Sequence, residues 1–235
     1  MTLVAAVKTP DGGVIVGWDS SSISGWDTVA RVDQKGFRHT LGDGSQMVVG
    51  YSWSYRAGQL ASRVTPSRNP APLTGPRLDA HDWLIDAYVP ELRRVLDNGG
   101  ALKKQDNVDE GTMLLIALDG RIFTIETDFQ VVEVATPFWA IGCGAEVVRG
   151  ALDAQLYVWT SDPQQPGPVQ PALALDRAMR TAVRLNAGVR APFHFELIGA
   201  AMTAAGLCPS WCPHCRGPAL RARRRASGVQ AGKVS

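Results

Sequence analysis

The sequence predicts a mixed α+β fold, and two patterns support this prediction. Apolar runs of strand length come in two groups, one close to the N-terminus and one in the middle of the chain. Each group is followed by segments in which apolar residues recur at helical spacing. The chain has 235 residues, of which 45% are apolar and 20% charged, so it can bury one large core.

The first half of the chain predicts strands followed by two helices. The first two apolar runs are continuous, which is typical of strands that are covered on both faces. Ser54 can cap a helix that extends to about residue 64. Asp79 can cap a second helix to about residue 96, in which Pro90 should produce a kink. The strands are expected at residues 2–8, 13–18, 35–40 and 46–52.

The second half repeats this order. Asp119 and Gly120 form the preferred residue pair of a type I′ hairpin, between strands at residues 112–118 and 121–126. Two further strands, two helices separated by a Pro-rich loop, and a last strand complete the series. These elements are expected at residues 130–135, 138–142, 145–157, 172–187 and 193–198.

Hydropathy excludes two classes of protein. The longest apolar runs, such as residues 113–118, are far shorter than the roughly 20 residues of a membrane-spanning helix. The N-terminus has no basic region ahead of an apolar segment, so it does not resemble a secretory signal. We therefore expect a cytoplasmic protein that does not bind a membrane.

The net charge of +2 hides a difference between the two parts of the chain. Residues 216–235 contain six basic residues and no acidic one, which leaves 18 of the 24 basic residues against all 22 acidic residues elsewhere. The body is therefore mildly acidic and the tail is basic. A basic run can contact nucleic acid or an acidic partner, but it is more often a solvated tail, so we do not expect a nucleic-acid partner.

A group of cysteines precedes the basic tail. Residues 211–215 look like the active site of a disulfide oxidoreductase, but no long helix follows to lower the pKa of a thiol. Three cysteines and one histidine can also bind zinc, although their spacing is compact. Incidental thiols in a tail are the third interpretation and the one we favour. The residues are Cys208, Cys212, His214 and Cys215.

Thr2 carries a complete catalytic pair if Met1 is removed. Its hydroxyl can attack an acyl carbon, and its own α-amine can accept the hydroxyl proton. A chain-terminal amine has a pKa of roughly 7.7–8.0, which suits a base near neutral pH. A threonine also follows many initiator methionines by chance, so the prediction depends on the strand after it and on the spacing to Asp19 and Lys35.

The order of these features resembles the opening of proteasome β-subunits and their bacterial relatives, the N-terminal-nucleophile (Ntn) hydrolases. The resemblance implies a four-layer αββα sandwich, in which two mainly antiparallel sheets lie between two pairs of helices. It also implies one domain over residues 1–200, followed by a tail over residues 201–235. It continues through residues 48–52, 119–123, 140–145, 150–152 and 193–196.

The resemblance implies a threonine-type peptidase that forms an acyl-enzyme on Thr2 and needs no cofactor. Lys35 would stabilise the developing alkoxide and keep the α-amine neutral. Asp19 would orient Lys35 by a charge-assisted hydrogen bond, with Asp33 as an alternative partner. The implied substrate is a peptide or protein. The implied partners are further copies of the chain, often in a ring, and an ATP-dependent unfoldase.

Three positions depart from the family's pattern. Trp53 stands where members have a glycine whose backbone N–H binds the oxyanion, and its indole would crowd the substrate. Cys143 replaces a serine beside the nucleophile, and a thiol is a weaker hydrogen-bond partner for the amine, or simply a small apolar residue. Asn186 is the polar residue in the stretch that normally supports the amine. A specificity pocket for an apolar or aromatic side chain is expected around Phe37, Tyr51 and Tyr55.

These departures keep two other functions open. A catalytically silent homologue would retain the fold as a structural or assembly subunit, and the changes at the amine-support positions and at Trp53 favour it. An amidase that acts on a small amide would use the same Thr2 chemistry, because substrate choice depends on the shape of the pocket. The intact set of Thr2, Asp19 and Lys35 favours the peptidase.

Overall fold

The computed structural model describes residues 2–24, 27–30, 33–64, 79–105, 108–156 and 170–199. The helices are α1 (Tyr55–Ala61), α2 (Ala80–Trp83), α3 (Val89–Asn98), α4 (Ala145–Leu156) and α5 (Pro171–Leu185). The strands are β1 (Leu3–Lys8), β2 (Val14–Asp19), β3 (Ser21–Ser24), β4 (Asp27–Ala30), β5 (Gly36–Thr40), β6 (Gln46–Ser52), β7 (Lys103–Gln105), β8 (Val108–Glu110), β9 (Met113–Leu118), β10 (Arg121–Ile125), β11 (Val131–Glu133), β12 (Phe138–Gly142) and β13 (Phe193–Ile198).

Two antiparallel sheets form the centre of the fold. The first sheet has the strand order β12-β1-β2-β13, and the second has the order β11-β10-β9-β6-β5. Helices α1 to α3 pack on the outer face of the second sheet, and α4 and α5 pack on the outer face of the first. The predicted αββα sandwich is therefore confirmed.

Strand β1 shows why its apolar run is continuous. Val4 and Ala6 belong to the core between the two sheets, whereas Leu3, Ala5 and Val7 belong to the core under α4 and α5. Successive side chains of a strand point to opposite faces, so a strand that is covered on both faces needs an apolar residue at every position. The same arrangement buries every residue of β2.

The predicted helix caps are confirmed. The Ser54 side chain accepts a hydrogen bond from the backbone N–H of Ala57, and the Asp79 side chain accepts one from His81. The second helix differs from the expectation at Pro90, because a π-helical turn over Leu84–Tyr88 precedes this residue. The wider turn accommodates a proline that has no N–H to donate to the preceding turn.

The turn between β9 and β10 agrees with the type I′ prediction, since Asp119 and Gly120 have φ values of +52° and +73°. Sequence analysis missed two short hairpins, β3–β4 and β7–β8. Their strands have only three or four residues and no apolar run, so periodicity offers no signal for them.

Several sequence-based expectations lie outside the described residues. They include the two Pro-rich loops, the basic tail and the cluster of Cys208, Cys212, His214 and Cys215. Within the described ranges, no group of three His, Cys, Asp or Glu side chains is arranged to hold a metal ion. In the same ranges, no helix is long and apolar enough to cross a membrane.

His39 on β5 is a titratable group that should make the stability of the fold depend on pH. Its Nε2 atom is buried and has no hydrogen-bond partner among the described residues. Burial holds the pKa of His39 below its usual 6.5, and a hydrogen bond with the backbone of Ala61 opposes this effect. The unfolded chain therefore binds this proton more readily. The stability is fully present above about pH 6.5 and is lost as the pH falls through the lower pKa of the folded state.

The variant His39→Gln should weaken this pH dependence, because glutamine cannot take up the proton. Thermal melts of both proteins, recorded from about pH 8 to pH 5, compare the fall in Tm. We expect the fall in the variant to be smaller by a few degrees. An equal fall in the two proteins would show that His39 does not cause the acid sensitivity.

Candidate active site

Thr2 lies directly before β1, an inner strand of the first sheet, with an exposed fraction of only 3%. Its carbonyl oxygen accepts a hydrogen bond of 2.8 Å from the backbone N–H of Cys143. The N–H and C=O of a strand residue point to the same side, so the Thr2 nitrogen also faces the turn at Gly142 and Cys143. The Thr2 side chain shares its strand face with Val4, which packs between the two sheets.

A buried ion pair of Lys35 and Asp19 contacts the backbone of Leu3, the residue that follows Thr2. The ammonium of Lys35 is 2.6 Å from Asp19 Oδ1, and the two side chains are 1% and 0% exposed. The same Asp19 oxygen accepts the backbone N–H of Leu3 at 2.9 Å, which fixes the pair to the start of β1. The structure thus brings together the three residues expected to carry the chemistry, while Asp33 lies exposed.

Asp19 has further partners that sequence reasoning missed. Ser21 donates from its hydroxyl at 2.5 Å and from its backbone N–H at 3.3 Å, both to Asp19 Oδ2. The backbone N–H of Arg190 lies 3.4 Å from the same oxygen. The Ser21 hydroxyl also lies 3.0 Å from the carbonyl oxygen of Gly188. These contacts fix the orientation of Asp19 from several directions.

Trp53 adopts a backbone conformation that favours glycine. Its φ of +86° lies in the left-handed region, where a side chain is strained by about 1–3 kcal/mol. The glycine that the resemblance implies at this position would be free of this strain. The Trp53 side chain is 72% exposed, so the indole lies at the mouth of the site instead of in the core.

Cys143 belongs to the turn beside Thr2, and Asn186, which follows α5, contacts this turn. The Cys143 thiol lies 3.5 Å from the carbonyl oxygen of Thr2. The Asn186 side chain donates to the carbonyl oxygen of Cys143 at 2.7 Å and accepts from the backbone N–H of Gly188 at 2.8 Å. Asn186 therefore contacts the turn, and the turn itself faces the Thr2 nitrogen. The support that Asn186 gives to the amine is indirect.

Gly142 also belongs to this turn, although the sequence did not single out its role. Its φ is +95°, and a Cβ atom on it would lie 2.0 Å from the carbonyl oxygen of Thr2. Only glycine permits this approach without displacing the start of β1. Gly142 is therefore part of the site, because it allows the turn to contact Thr2.

The variant Gly142→Ala should displace Thr2 and add roughly 1–2 kcal/mol of backbone strain. We expect a lower Tm and at least about a tenfold loss in the reactivity of Thr2 towards an acylating reagent. Gly150→Ala in α4 is the matched control, because nothing lies within 4 Å of the added Cβ. The control should gain about 0.5–1 kcal/mol, and equal Tm values for the two variants would refute the role of Gly142.

A cavity of about 770 Å³ opens beside Thr2. Two tryptophans contribute to it, and the guanidinium of Arg149 lies over the ring of Trp139 at 4.6 Å. Its lining is apolar with a few charged groups, which is typical of a ligand site. The lining residues are Thr2, Ser52, Trp53, Met113, Glu126, Trp139, Ala140, Ile141, Gly142, Cys143, Ala145, Glu146 and Arg149.

The three aromatic residues expected around a specificity pocket lie outside this lining. Tyr51 is buried in the core under the helices, and Phe37 packs against that core. Tyr55 donates from its hydroxyl to the carbonyl oxygen of Ser21 at 2.7 Å, and its ring centre is 5.8 Å from the Lys35 ammonium. Of the three, Tyr55 therefore lies beside the ion pair, whereas Phe37 and Tyr51 belong to the core under the helices.

No protein-family model and no curated protein matches the chain. Solved structures with the same architecture are found, however. BPH from Thiobacillus denitrificans is similar with a TM-score of 0.60 and 19% identity, over 83% of this chain and 97% of that chain. HslV from Trypanosoma brucei has a TM-score of 0.54 and 15% identity, over 84% and 99%. An Anbu (Gly-1) mutant from Hyphomicrobium sp. strain MC1 has a TM-score of 0.58 and 16% identity, over 83% and 81%. The resemblance to proteasome β-subunits is thus confirmed for the fold: the chain has the proteasome-type αββα fold.

Proposed function

We propose that this protein is a threonine-type peptidase, which cleaves peptide bonds through an acyl-enzyme on Thr2 after removal of Met1. The observation that carries the proposal is the buried Lys35–Asp19 pair, because its carboxylate binds the backbone N–H directly after Thr2. A buried lysine ammonium is costly, and in this proposal it offsets that cost by stabilising the alkoxide that forms on Thr2.

The first half of the reaction forms the acyl-enzyme. The freed α-amine of Thr2 accepts the proton of the Thr2 hydroxyl, and Oγ1 forms a bond with the substrate carbonyl carbon. The Lys35 ammonium stabilises the negative charge on Oγ1 as this bond forms, and the backbone N–H of Trp53 donates to the carbonyl oxygen as it becomes an oxyanion. The peptide C–N bond then breaks, and the Thr2 ammonium passes its proton to the leaving amine.

The second half releases the acid. A water molecule gives a proton to the neutral Thr2 amine and attacks the ester carbon, and the C–O bond to Thr2 breaks as the proton returns to Oγ1. The cavity beside Thr2 would hold the substrate. Its charged rim at Glu126, Glu146 and Arg149 offers partners for polar substrate groups.

Assembly with further copies of the chain is part of the proposal. One similar structure is described as a helical assembly of the Anbu complex from Pseudomonas aeruginosa, with a TM-score of 0.55 and 18% identity. A ring or a helical array of this chain would enclose the Thr2 sites. Folded proteins would then need an ATP-dependent unfoldase as a partner before cleavage. We place the protein in the cytoplasm.

Two alternative functions are compatible with the same fold and site. The strained, exposed Trp53 and the thiol of Cys143 favour a catalytically silent subunit that retains the fold. An amidase for a small amide would use the same residues with a smaller substrate in the cavity.

Product release from two substrate sets distinguishes the three functions. The protein, with Met1 removal checked by mass, is incubated with N-capped peptide amides and separately with small acyl amides. Release from peptides, with an acyl-enzyme trapped by rapid acid quench, is the expected result. Release from small amides alone would identify an amidase, and no release from either set would identify a silent subunit.

A further inference from the structure

Ser52 is a buried hydroxyl that the chemistry described above does not use. It ends β6, on which Met47, Val49 and Tyr51 point towards the helices. The alternate residues of a strand point to the other face, so the Ser52 side chain points towards the first sheet. Its exposed fraction is only 2%.

The approach of β6 to β1 places Ser52 opposite Thr2. A Cβ atom on Gly50 would lie 2.3 Å from Val4, so these two residues touch across the space between the sheets. Ser52 lies two residues after Gly50 and Thr2 lies two residues before Val4, so each shares the face of its neighbour. Gly142 gives independent evidence that Ser52 and Thr2 are close. A Cβ atom on Gly142 would lie 3.1 Å from Ser52 Oγ and 2.0 Å from the carbonyl oxygen of Thr2.

The backbone at Ser52 is held in place on both sides. Ser52 pairs with Met113 in the sheet, and the Thr112 hydroxyl donates a short hydrogen bond to the Ser52 carbonyl oxygen. Rotation about the Cα–Cβ bond is therefore the freedom that remains to the Ser52 hydroxyl. The same face of β6 carries Gln46 at its far end and then Val48 and Gly50, so the Ser52 hydroxyl is the polar group of this face that lines the cavity beside Thr2.

We propose that Ser52 is a further catalytic residue, whose hydroxyl donates a hydrogen bond to Thr2 Oγ1 once Met1 is removed. This inference rests on the proposed function of Thr2. A hydroxyl can donate and accept at once, so Oγ1 accepts from Ser52 while it donates to the Thr2 amine. The Ser52 hydrogen bond strengthens as Oγ1 loses its proton, because hydrogen bonds to charged oxygen are the stronger ones.

Cys143 does not supply this interaction equally well. Its thiol is a weak donor, and it lies against the carbonyl oxygen of Thr2. Ser52 and Cys143 therefore flank Thr2 from different sheets and have different roles. The hydroxyl of Ser52 faces the reacting side chain, and the turn at Cys143 faces the nitrogen.

The test uses a peptide epoxyketone and separates its binding constant from its rate constant of reaction. Ser52→Ala should lower kinact about tenfold or more, because a hydrogen bond to the reacting oxygen is lost. KI should change by less than about twofold, since the cavity retains its shape. Ser45→Ala is the matched control, because Ser45 precedes the other end of β6 and binds Asp43 in a turn. An unchanged kinact in Ser52→Ala would overturn the proposal.

A second variant covers the case in which alanine disturbs the fold. Ser52→Cys keeps the size of the side chain but replaces a strong donor with a weak one, so kinact should fall as it does for alanine. Full activity in a folded Ser52→Cys would also overturn the proposal. If the parent protein itself does not react, the function proposed for Thr2 fails and this inference fails with it. A reactive parent with an unaffected Ser52→Ala removes the inference about Ser52 alone.

Discussion

Replacement of Thr2 by alanine should reduce peptide cleavage to the background rate and leave the fold intact. The variant retains the backbone N–H and C=O, so the hydrogen bond from Cys143 to the Thr2 carbonyl oxygen persists. It loses the oxygen that attacks the substrate, and no other group of the site is placed to replace it in the proposed reaction. We expect a loss of at least about 10³-fold in the initial rate, with a Tm close to that of the parent.

Thr2→Ser is the matched control for this variant. Serine keeps both the hydroxyl and the α-amine, so it should retain measurable cleavage. Circular dichroism melts of the two variants exclude unfolding as the cause of any difference. Cleavage by a pure preparation of Thr2→Ala would show that Thr2 is not the nucleophile.

Lys35→Ala should have the second largest effect, on both rate and stability. Loss of the ammonium removes the stabilisation of charge on Thr2 Oγ1, which we expect to lower the acylation rate by about 10²–10³-fold. It also leaves the fully buried carboxylate of Asp19 without its cation. Removal of one partner of a buried pair typically costs about 3–5 kcal/mol, so the free energy of unfolding should fall sharply.

Two controls separate these effects. The double variant with Lys35→Met and Asp19→Asn removes both charges, so it should regain part of the stability but none of the rate. Arg38→Ala breaks the exposed bridge to Glu196, whose side chains are 28% and 37% exposed, and should cost no more than about 1 kcal/mol. If Lys35→Ala lowers the rate by less than tenfold in folded protein, Lys35 has a structural role only.

Local signals in the sequence predict the elements of the fold well. The cap residues Ser54 and Asp79 and the turn pair at Asp119 act through atoms within three residues of themselves, so their effects can be read from the chain. The continuous apolar run of β1 likewise reflects burial on both faces. The π-helical turn before Pro90 was not predicted, because helical periodicity does not distinguish a kink from a wider turn.

The site could be predicted only in part. Asp19 and Lys35 follow from the resemblance, and the structure brings them together over 16 residues of sequence. The contacts of Ser21 with Gly188 and of Ser52 with the Gly142 turn join segments far apart in the chain. No spacing rule relates such residues, since the packing of the two sheets decides which of them meet.

The intact mass of the protein after incubation with a peptide epoxyketone tests the central claim most directly. This reagent requires a hydroxyl and a free amine on the same residue, which is the pair that Thr2 offers after Met1 is removed. We predict a mass without Met1, increased by one equivalent of the reagent, and no increase in Thr2→Ala. A mass without Met1 and without the reagent would contradict the account and favour the silent subunit.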